Sequence, residues 1–348
     1  MFGNIRELVE LQAMIEGGYV VARRHPSAPL TIYNYTAKAQ YDRMWNETTL
    51  ACRGLICNDA GDVVARPFSK FFNLEQIESL PNESFRVYEK YDGSLGILYW
   101  MNGEPFIATR GSFDSEQALR ATAMLRAFDT AQLNRDYTYL FEIIYPENRV
   151  VVNYGSWCGL VLLAVIETKS GNEMPIHLDG EPVFAQFPTA TLLQGVHSVS
   201  ELKQLKRSNS EGFVVHFSGG ARVKVKMDEY VRLHKLLTGI SEKMILEEYL
   251  MTGVDLKPLL ERVPDEFYDW VYEVVQRFIY EFAKIECAAS NVLDEAARTC
   301  KTRKAYAEAF AQTPYQHILF KMLDGRDYSD LIWRMLKPET KVFRLGVE

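Results

Sequence analysis

Up to about residue 240 the chain alternates short β-branched and aromatic runs with turn signals, the pattern of strands. The runs are residues 85–100 (FRVYEKYDGSLGILYW), FIATRGS, YTYLFEIIY, GLVLLAVIE, GFVVHF and ARVKVKM. Helix-period segments interrupt them at 115–128 (SEQALRATAMLRAF) and 198–208 (SVSELKQLKRS). The N-terminal MFGNIRELVELQAMIEGG predicts an amphipathic helix, and it lacks the basic start and apolar core of a signal peptide. This mixture predicts an α+β domain of largely antiparallel sheets flanked by helices.

Beyond residue 240 strand signals give way to helical periodicity: SEKMILEEYLMTG, the long segment from EFYDWV to EAARTC, TRKAYAEAFAQT and YSDLIWRMLKP. Pro264, Pro314 and Pro338 punctuate these segments, and Ser241, Asp265 and Ser329 are the predicted N-caps. The expected organisation is therefore an α+β domain over 1–239 and an all-helical C-terminal domain over 240–348. There is no internal repeat and no low-complexity segment.

Composition narrows the class without changing this picture. A length of 348 residues suits two domains of about 150 each. Apolar and charged fractions of 47% and 24% are those of an ordinary globular protein, and no apolar run approaches the ~20 residues of a membrane span. Five cysteines are scattered, only Cys52 and Cys57 lie close, and no Cys/His pair stands near to complete a zinc site. They read as reduced thiols of a cytoplasmic protein. The net charge of −7 argues against non-specific coating of nucleic acid but leaves room for a local basic groove.

Several polar residues stand out against the apolar pattern. Lys90 sits in VYEKYDGSLGILYW; a lysine is rarely buried unless paired, so it is either a solvated edge residue or a group held in a pocket. In GFVVHFSGGARVKVKM a Ser-Gly-Gly turn makes a β-hairpin, and period two puts Arg222, Lys224 and Lys226 on one face and Val223 and Val225 on the other. That ladder is a solvated, edge-protecting face or a polyanion site. Glu142, among Tyr139, Leu140, Phe141, Ile143, Ile144 and Tyr145, needs a cation, a metal or a sugar hydroxyl, a structural salt bridge being the plainer reading. Arg53 and Arg110 stand beside glycines, where a guanidinium fork can approach phosphate or simply occupy an exposed turn.

In order these residues read RGL (53–55), SKFFN (69–73), EKYDGSLG (89–96), TRGSF (109–113), FEIIYPENRVV (141–151), EGFVVHF (211–217) and VKVKM (223–227). The set resembles the covalent nucleotidyltransferases, the superfamily of ATP-dependent ligases and RNA capping enzymes. ARPFSKFFN, YPENRVV, VKMDEYVRLH and the helical tail narrow the resemblance to the phage-type RNA ligase 1 family. It implies a nucleotidyltransferase domain in which Lys90 attacks the α-phosphate of ATP and becomes lysyl-AMP. AMP then passes to an RNA 5′-phosphate and is displaced by a 3′-hydroxyl. By the same resemblance Glu211 helps to place magnesium, or manganese in its stead, and Glu142 contacts the ribose. Arg53 and Lys70 face the triphosphate and Phe72 lines the nucleotide pocket. Glu89, Asp92, Gly93, Arg110, Gly212, Lys224 and Lys226 complete the nucleotide site. A lysine is protonated at neutral pH, and Lys224 and Lys226 are expected to supply the field that frees Lys90 of its proton. Asp92 and Gly93 shape the loop, with Gly93 expected to give phosphate room to approach. Arg110 replaces the lysine expected of the closest relatives, keeping the charge but not the geometry.

The resemblance also implies partners: RNA with 5′-phosphate and 3′-hydroxyl ends, in particular nicked tRNA docked by the helical domain. Arg298, Lys301, Arg303 and Lys304 meet an RNA backbone there or form a solvated helix end. No phosphate-binding G-x-x-x-x-G-K-[ST] loop is present, so a separate polynucleotide kinase-phosphatase is the expected end-healing partner. The setting would be cytosol, that of a bacterial host if the chain is phage-encoded. A DNA ligase or a capping enzyme shares the chemistry but usually carries an OB-fold after the lysine pair. A nucleic-acid-binding module on an inactive ligase fold is the non-enzyme alternative.

Overall fold

The computed structural model describes residues 2–205, 207–237, 241–253, 256–260 and 268–338. The chain divides into two compact units, Met1–Thr238 and Gly239–Glu348. The first is α+β and holds three main sheets. A four-stranded antiparallel sheet runs in the order Val20–Arg24, Leu30–Tyr35, Arg53–Asn58, Val63–Ala65. A five-stranded antiparallel sheet has the order Glu173–Met174, Gly159–Glu167, Tyr137–Ile144, Ser94–Met101, Glu104–Thr109. A second five-stranded sheet has the order Leu192–Leu193, Phe85–Lys90, Gly212–Phe217, Arg222–Lys226, Phe72–Asn73, its last pair parallel.

The apolar run around Glu142 is central because its strand is covered on both sides. Tyr139, Phe141 and Ile143 enter a core with Ala121 and Leu125 of the helix Glu116–Leu125, whereas Leu140 packs with Ile32 and Ile56 of the four-stranded sheet. Thr122 fastens that helix by accepting the Ile107 N–H at 3.0 Å. In the third sheet the alternation works as predicted. Val87, Phe213, Val215, Val223 and Val225 share a core with Leu202, and Lys90, Lys224 and Lys226 project from the opposite face.

The run over residues 85–100 is not one strand. It splits into Phe85–Lys90 and Ser94–Met101, which belong to different sheets, so Tyr91, Asp92 and Gly93 carry the chain from one to the other. The N-terminal helix is also corrected. A short 3₁₀ turn at Ile5–Glu7 precedes a helix at Leu11–Glu16, because Asn4 and Glu7 cap each other and close the first turn early. The strands Val20–Arg24 and Leu30–Tyr35 are additions to the predicted elements.

The second unit is helical: Glu242–Thr252, Lys257–Leu260, Tyr268–Thr299, Arg303–Phe310, Gln316–Leu323 and Ser329–Leu336 among the described residues. Ala289, Ala296, Phe310, Ile318, Leu319 and Ile332 form its core. Ser241 caps as predicted, accepting the Met244 N–H. Ser329 does not cap; Asp327 accepts its backbone N–H at 3.0 Å instead. Pro264 and Asp265 lie outside the described residues. Among those described, no helix is both long and apolar enough to cross a membrane.

Candidate active site

Lys90 ends its strand in register with Gly212, whose other neighbour is Lys226. Gly212 is required there: its φ is +142°, and a Cβ would lie 2.1 Å from the Val225 carbonyl oxygen. The preceding Glu211, buried at 3% exposure, joins the two lysines. One carboxylate oxygen accepts from Lys90 Nζ at 2.7 Å and the other pairs with Lys226 Nζ at 3.0 Å. Glu142 comes to the same cluster from the middle sheet. Burial pushes its carboxyl up to about 7, opposed by Lys90 and the Gly93 N–H and reinforced by the charges of Glu211 and Asp92.

This cluster corrects one expectation. Burial works to lower the Lys90 pKa and Lys226 assists it, but Glu211 and Glu142 outweigh both and hold the ammonium above its ordinary value. The cation expected to free Lys90 of its proton shares the carboxylate that holds the proton on.

Asp92 shapes the loop as expected, and Gly93 makes its close approach to protein. The buried Asp92 carboxylate is engaged by the protein, accepting the N–H groups of Val151 (2.8 Å) and Val152 (2.7 Å) and the Tyr230 hydroxyl (2.8 Å). The Asp92 N–H donates to the Tyr154 hydroxyl at 2.8 Å. At Gly93 the close approach is to protein, since a Cβ would stand 2.5 Å from the Ile143 carbonyl oxygen. Glycine therefore lets the crossing loop lie against the Glu142 strand. Glu89 points away from Lys90, on the face shared with Phe213, 3.9 Å from Arg207.

A second group gathers cations around aromatic rings. The Lys70 ammonium, 9% exposed, donates to Gln40 at 2.8 Å and lies 5.2, 5.4 and 5.6 Å from the ring centroids of Tyr35, Trp45 and Phe72. Arg110 donates to the Tyr35 hydroxyl at 3.0 Å. Arg53 and Lys224 both face Phe71, at 5.6 and 5.2 Å. Arg222, first in the basic ladder, is neutralised by Glu173 and lies over Phe68 in a cleft of about 710 Å³. Tyr35, Trp45, Phe71, Tyr154 and Tyr230 were not found by sequence reasoning. Phe71, inside SKFFN, and Tyr230, three residues beyond VKM, carried a positional hint.

In the second unit Arg298, Lys301, Arg303 and Lys304 are exposed at the end of the long helix and the start of the next. Arg303 is engaged by Asp324 at 2.6 Å.

A sequence profile of RNA ligases, of the phage T4 ligase 1 type, matches residues 51–231, a little over half of the chain and the whole of both groups except Tyr35, Gln40 and Trp45. The chain belongs to the phage-type RNA ligase 1 family. A putative bifunctional polynucleotide kinase/RNA ligase of Autographa californica nuclear polyhedrosis virus is 29% identical over 67% of this chain and 38% of its own length. An RNA ligase of Rhodothermus phage RM378 is 24% identical over 65% and 68%. This ligase-family chain thus spans well under half of the viral relative and about two thirds of the phage one. Among solved structures, a putative ATP-dependent DNA ligase from Aquifex aeolicus aligns over 93% of this chain and 100% of its own, with 14% identity and a TM-score of 0.48. An archaeal ATP-dependent RNA ligase aligns over 92% and 99%, with 15% identity and a TM-score of 0.47.

The raised Glu142 pKa has a consequence for stability. Between its ordinary 4.5 and about 7 the folded state binds the extra proton, so stability falls as pH rises through that window and stays lower above it. At about 1.4 kcal/mol per unit this amounts to roughly 3 kcal/mol. Glu142→Gln is expected to melt higher than wild type at pH 8 and equally near pH 4. A pH-independent difference in thermal melts would contradict this.

Proposed function

We propose that this chain is an ATP-dependent RNA ligase that joins 5′-phosphate and 3′-hydroxyl ends through lysyl-AMP on Lys90 and an RNA-adenylate. The observation that carries the reading is the Lys90–Glu211–Lys226 bridge at 2.7 and 3.0 Å, with Glu142 facing it, inside the segment matched by the RNA ligase family.

In the first step the Lys90 amine attacks the α-phosphorus of ATP, a P–N bond forms, and the bond to pyrophosphate breaks. An RNA 5′-phosphate oxygen then attacks the same phosphorus and displaces Lys90, leaving AMP on the RNA. The 3′-hydroxyl, losing its proton, attacks the 5′-phosphate and releases AMP. Lys224, Lys226, Arg53, Lys70 and Arg110 hold phosphate oxygens, Phe72 lines the nucleotide pocket, and Glu142 takes the ribose.

The donor set fits a divalent ion such as magnesium. Among the described residues no three His, Cys, Asp or Glu side chains gather into a metal cage. Glu211 and Glu142 nonetheless offer carboxylates beside Lys90, and magnesium commonly takes one or two carboxylates with substrate phosphates. Such an ion, when bound, neutralises phosphate charge. With Glu211 so engaged, its hold on the Lys90 proton, kept by the Lys90–Glu211 pair at 2.7 Å, would weaken.

On this reading residues 1–239 are the adenylyltransferase and 240–348 dock RNA, with nicked tRNA in the cytosol as the suited substrate. Arg298, Lys301 and Lys304 would meet the backbone. The viral relative named as both kinase and ligase supports pairing this chemistry with a polynucleotide kinase, and we propose that the healing partner also carries the phosphatase. With ATP and magnesium, single-stranded RNA bearing a 5′-phosphate and 3′-hydroxyl is expected to be joined, and RNA with 5′-hydroxyl and 2′,3′-cyclic phosphate ends to be left open. Joining of the second substrate, or use of GTP or NAD in place of ATP, would contradict the reading.

A further inference from the structure

Beyond the end of the Glu142 strand lies a pocket of about 130 Å³ that the roles above leave unused. Ile144, two residues past Glu142 on the same side of the strand, forms one wall, and Asp92, two residues past Lys90, forms another. The volume is close to the ~150 Å³ that admits a benzene ring in an engineered cavity. It is far too small for a nucleoside triphosphate and suits one flat ring. Trp157, a large apolar side chain left 39% exposed, stands at its edge. The indole lies close over Gly159, where a Cβ would stand 2.9 Å from its six-membered ring. Tyr154 stands 6.5 Å from it and is fixed by the Asp92 N–H. The Arg149 guanidinium is held flat by two donations to the Val151 carbonyl, each at 3.2 Å.

We propose that this pocket holds the terminal base of the RNA strand that brings the 3′-hydroxyl, stacked on Trp157. The inference rests on the ligase reading. The choice of strand follows from charge. The 5′-phosphate and ATP are polyanions, and Lys224, Lys226, Arg53, Lys70 and Arg110 gather in other parts of the site to receive them. The 3′-hydroxyl is neutral and offers those cations nothing, which leaves the base of its nucleoside as the group that a flat, aromatic-edged pocket can grip. Aromatic stacking accepts any base, because every base has a π-face. The pocket shares Asp92 with the Lys90 loop, which puts such a base beside the reaction centre.

The test is sealing of a pre-adenylylated donor to acceptors that end either in an ordinary nucleotide or in an abasic ribose. Wild type is expected to favour the base-bearing acceptor in kcat/KM by roughly 5- to 150-fold, the factor one stacked base supplies. Trp157→Ala is expected to bring that ratio to about 1, and Trp157→Phe to restore much of it. A variant that loses activity on both acceptors alike, with the ratio intact, would show a structural role and overturn the proposal. So would a wild type indifferent to the acceptor base but sensitive to loss of the first donor base. A wild type that seals neither acceptor overturns the ligase reading itself, and the pocket's role with it.

Discussion

Lys90→Ala is expected to seal no RNA from ATP, with a loss of at least about 10⁴-fold, the scale at which removing a covalent nucleophile operates. RNA that already carries AMP on its 5′-phosphate should still be joined, because that step needs no lysine nucleophile. The fold should survive, since Glu211 keeps Lys226 as a partner at 3.0 Å and is not left as an unpaired buried charge. Lys90→Arg separates charge from nucleophilicity: it preserves a cation for Glu211, yet a guanidinium cannot be deprotonated in a protein. Both variants should therefore fail with ATP. ATP-dependent sealing by Lys90→Arg at a tenth of the wild-type rate or more would show that Lys90 matters only as a charge.

Asp92→Ala should fail in a different way. It removes the acceptor of three hydrogen bonds and leaves the Val151 and Val152 N–H groups and the Tyr230 hydroxyl without it. At about 1–3 kcal/mol for each of the two buried N–H groups left unsatisfied, and about 1 kcal/mol for the lost tyrosine bond, the loss is about 3–7 kcal/mol. The loop between Lys90 and the middle sheet loses its anchor at the same time. Both ATP-dependent sealing and sealing of pre-adenylylated RNA should fall, and urea unfolding should shift to lower concentration. Tyr230→Phe removes one of the three bonds and should cost about 1 kcal/mol. An Asp92→Ala protein that unfolds like wild type would show that the carboxylate is not the anchor.

The sequence is most legible where one periodicity governs. The hairpin from Gly212 to Lys226 alternates strictly, so the side of Lys224 and Lys226 follows from Val223 and Val225. The helices of the second unit follow from their apolar spacing in the same way. The site is less legible because its electrostatics depend on pairs far apart in the chain. Lys90 and Glu211 are 121 residues apart, and only strand register brings them to 2.7 Å. Motif order names both residues but not the sign of their effect on each other. The ring of Tyr35, Trp45 and Phe72 around Lys70 joins separate segments with no shared period, and nothing in the spacing marks it. Asp92 and Gly93 are visible as a motif, but their protein contacts appear only once the chain is seen to cross between two sheets there.

The most direct test of the central claim is the intact mass of the wild-type protein after incubation with ATP and magnesium, followed by peptide mapping of any adduct. The account predicts one AMP per chain, on the peptide containing Lys90, removed by pyrophosphate. An AMP on another residue, or no adduct on protein first cleared of bound AMP with pyrophosphate, would contradict it.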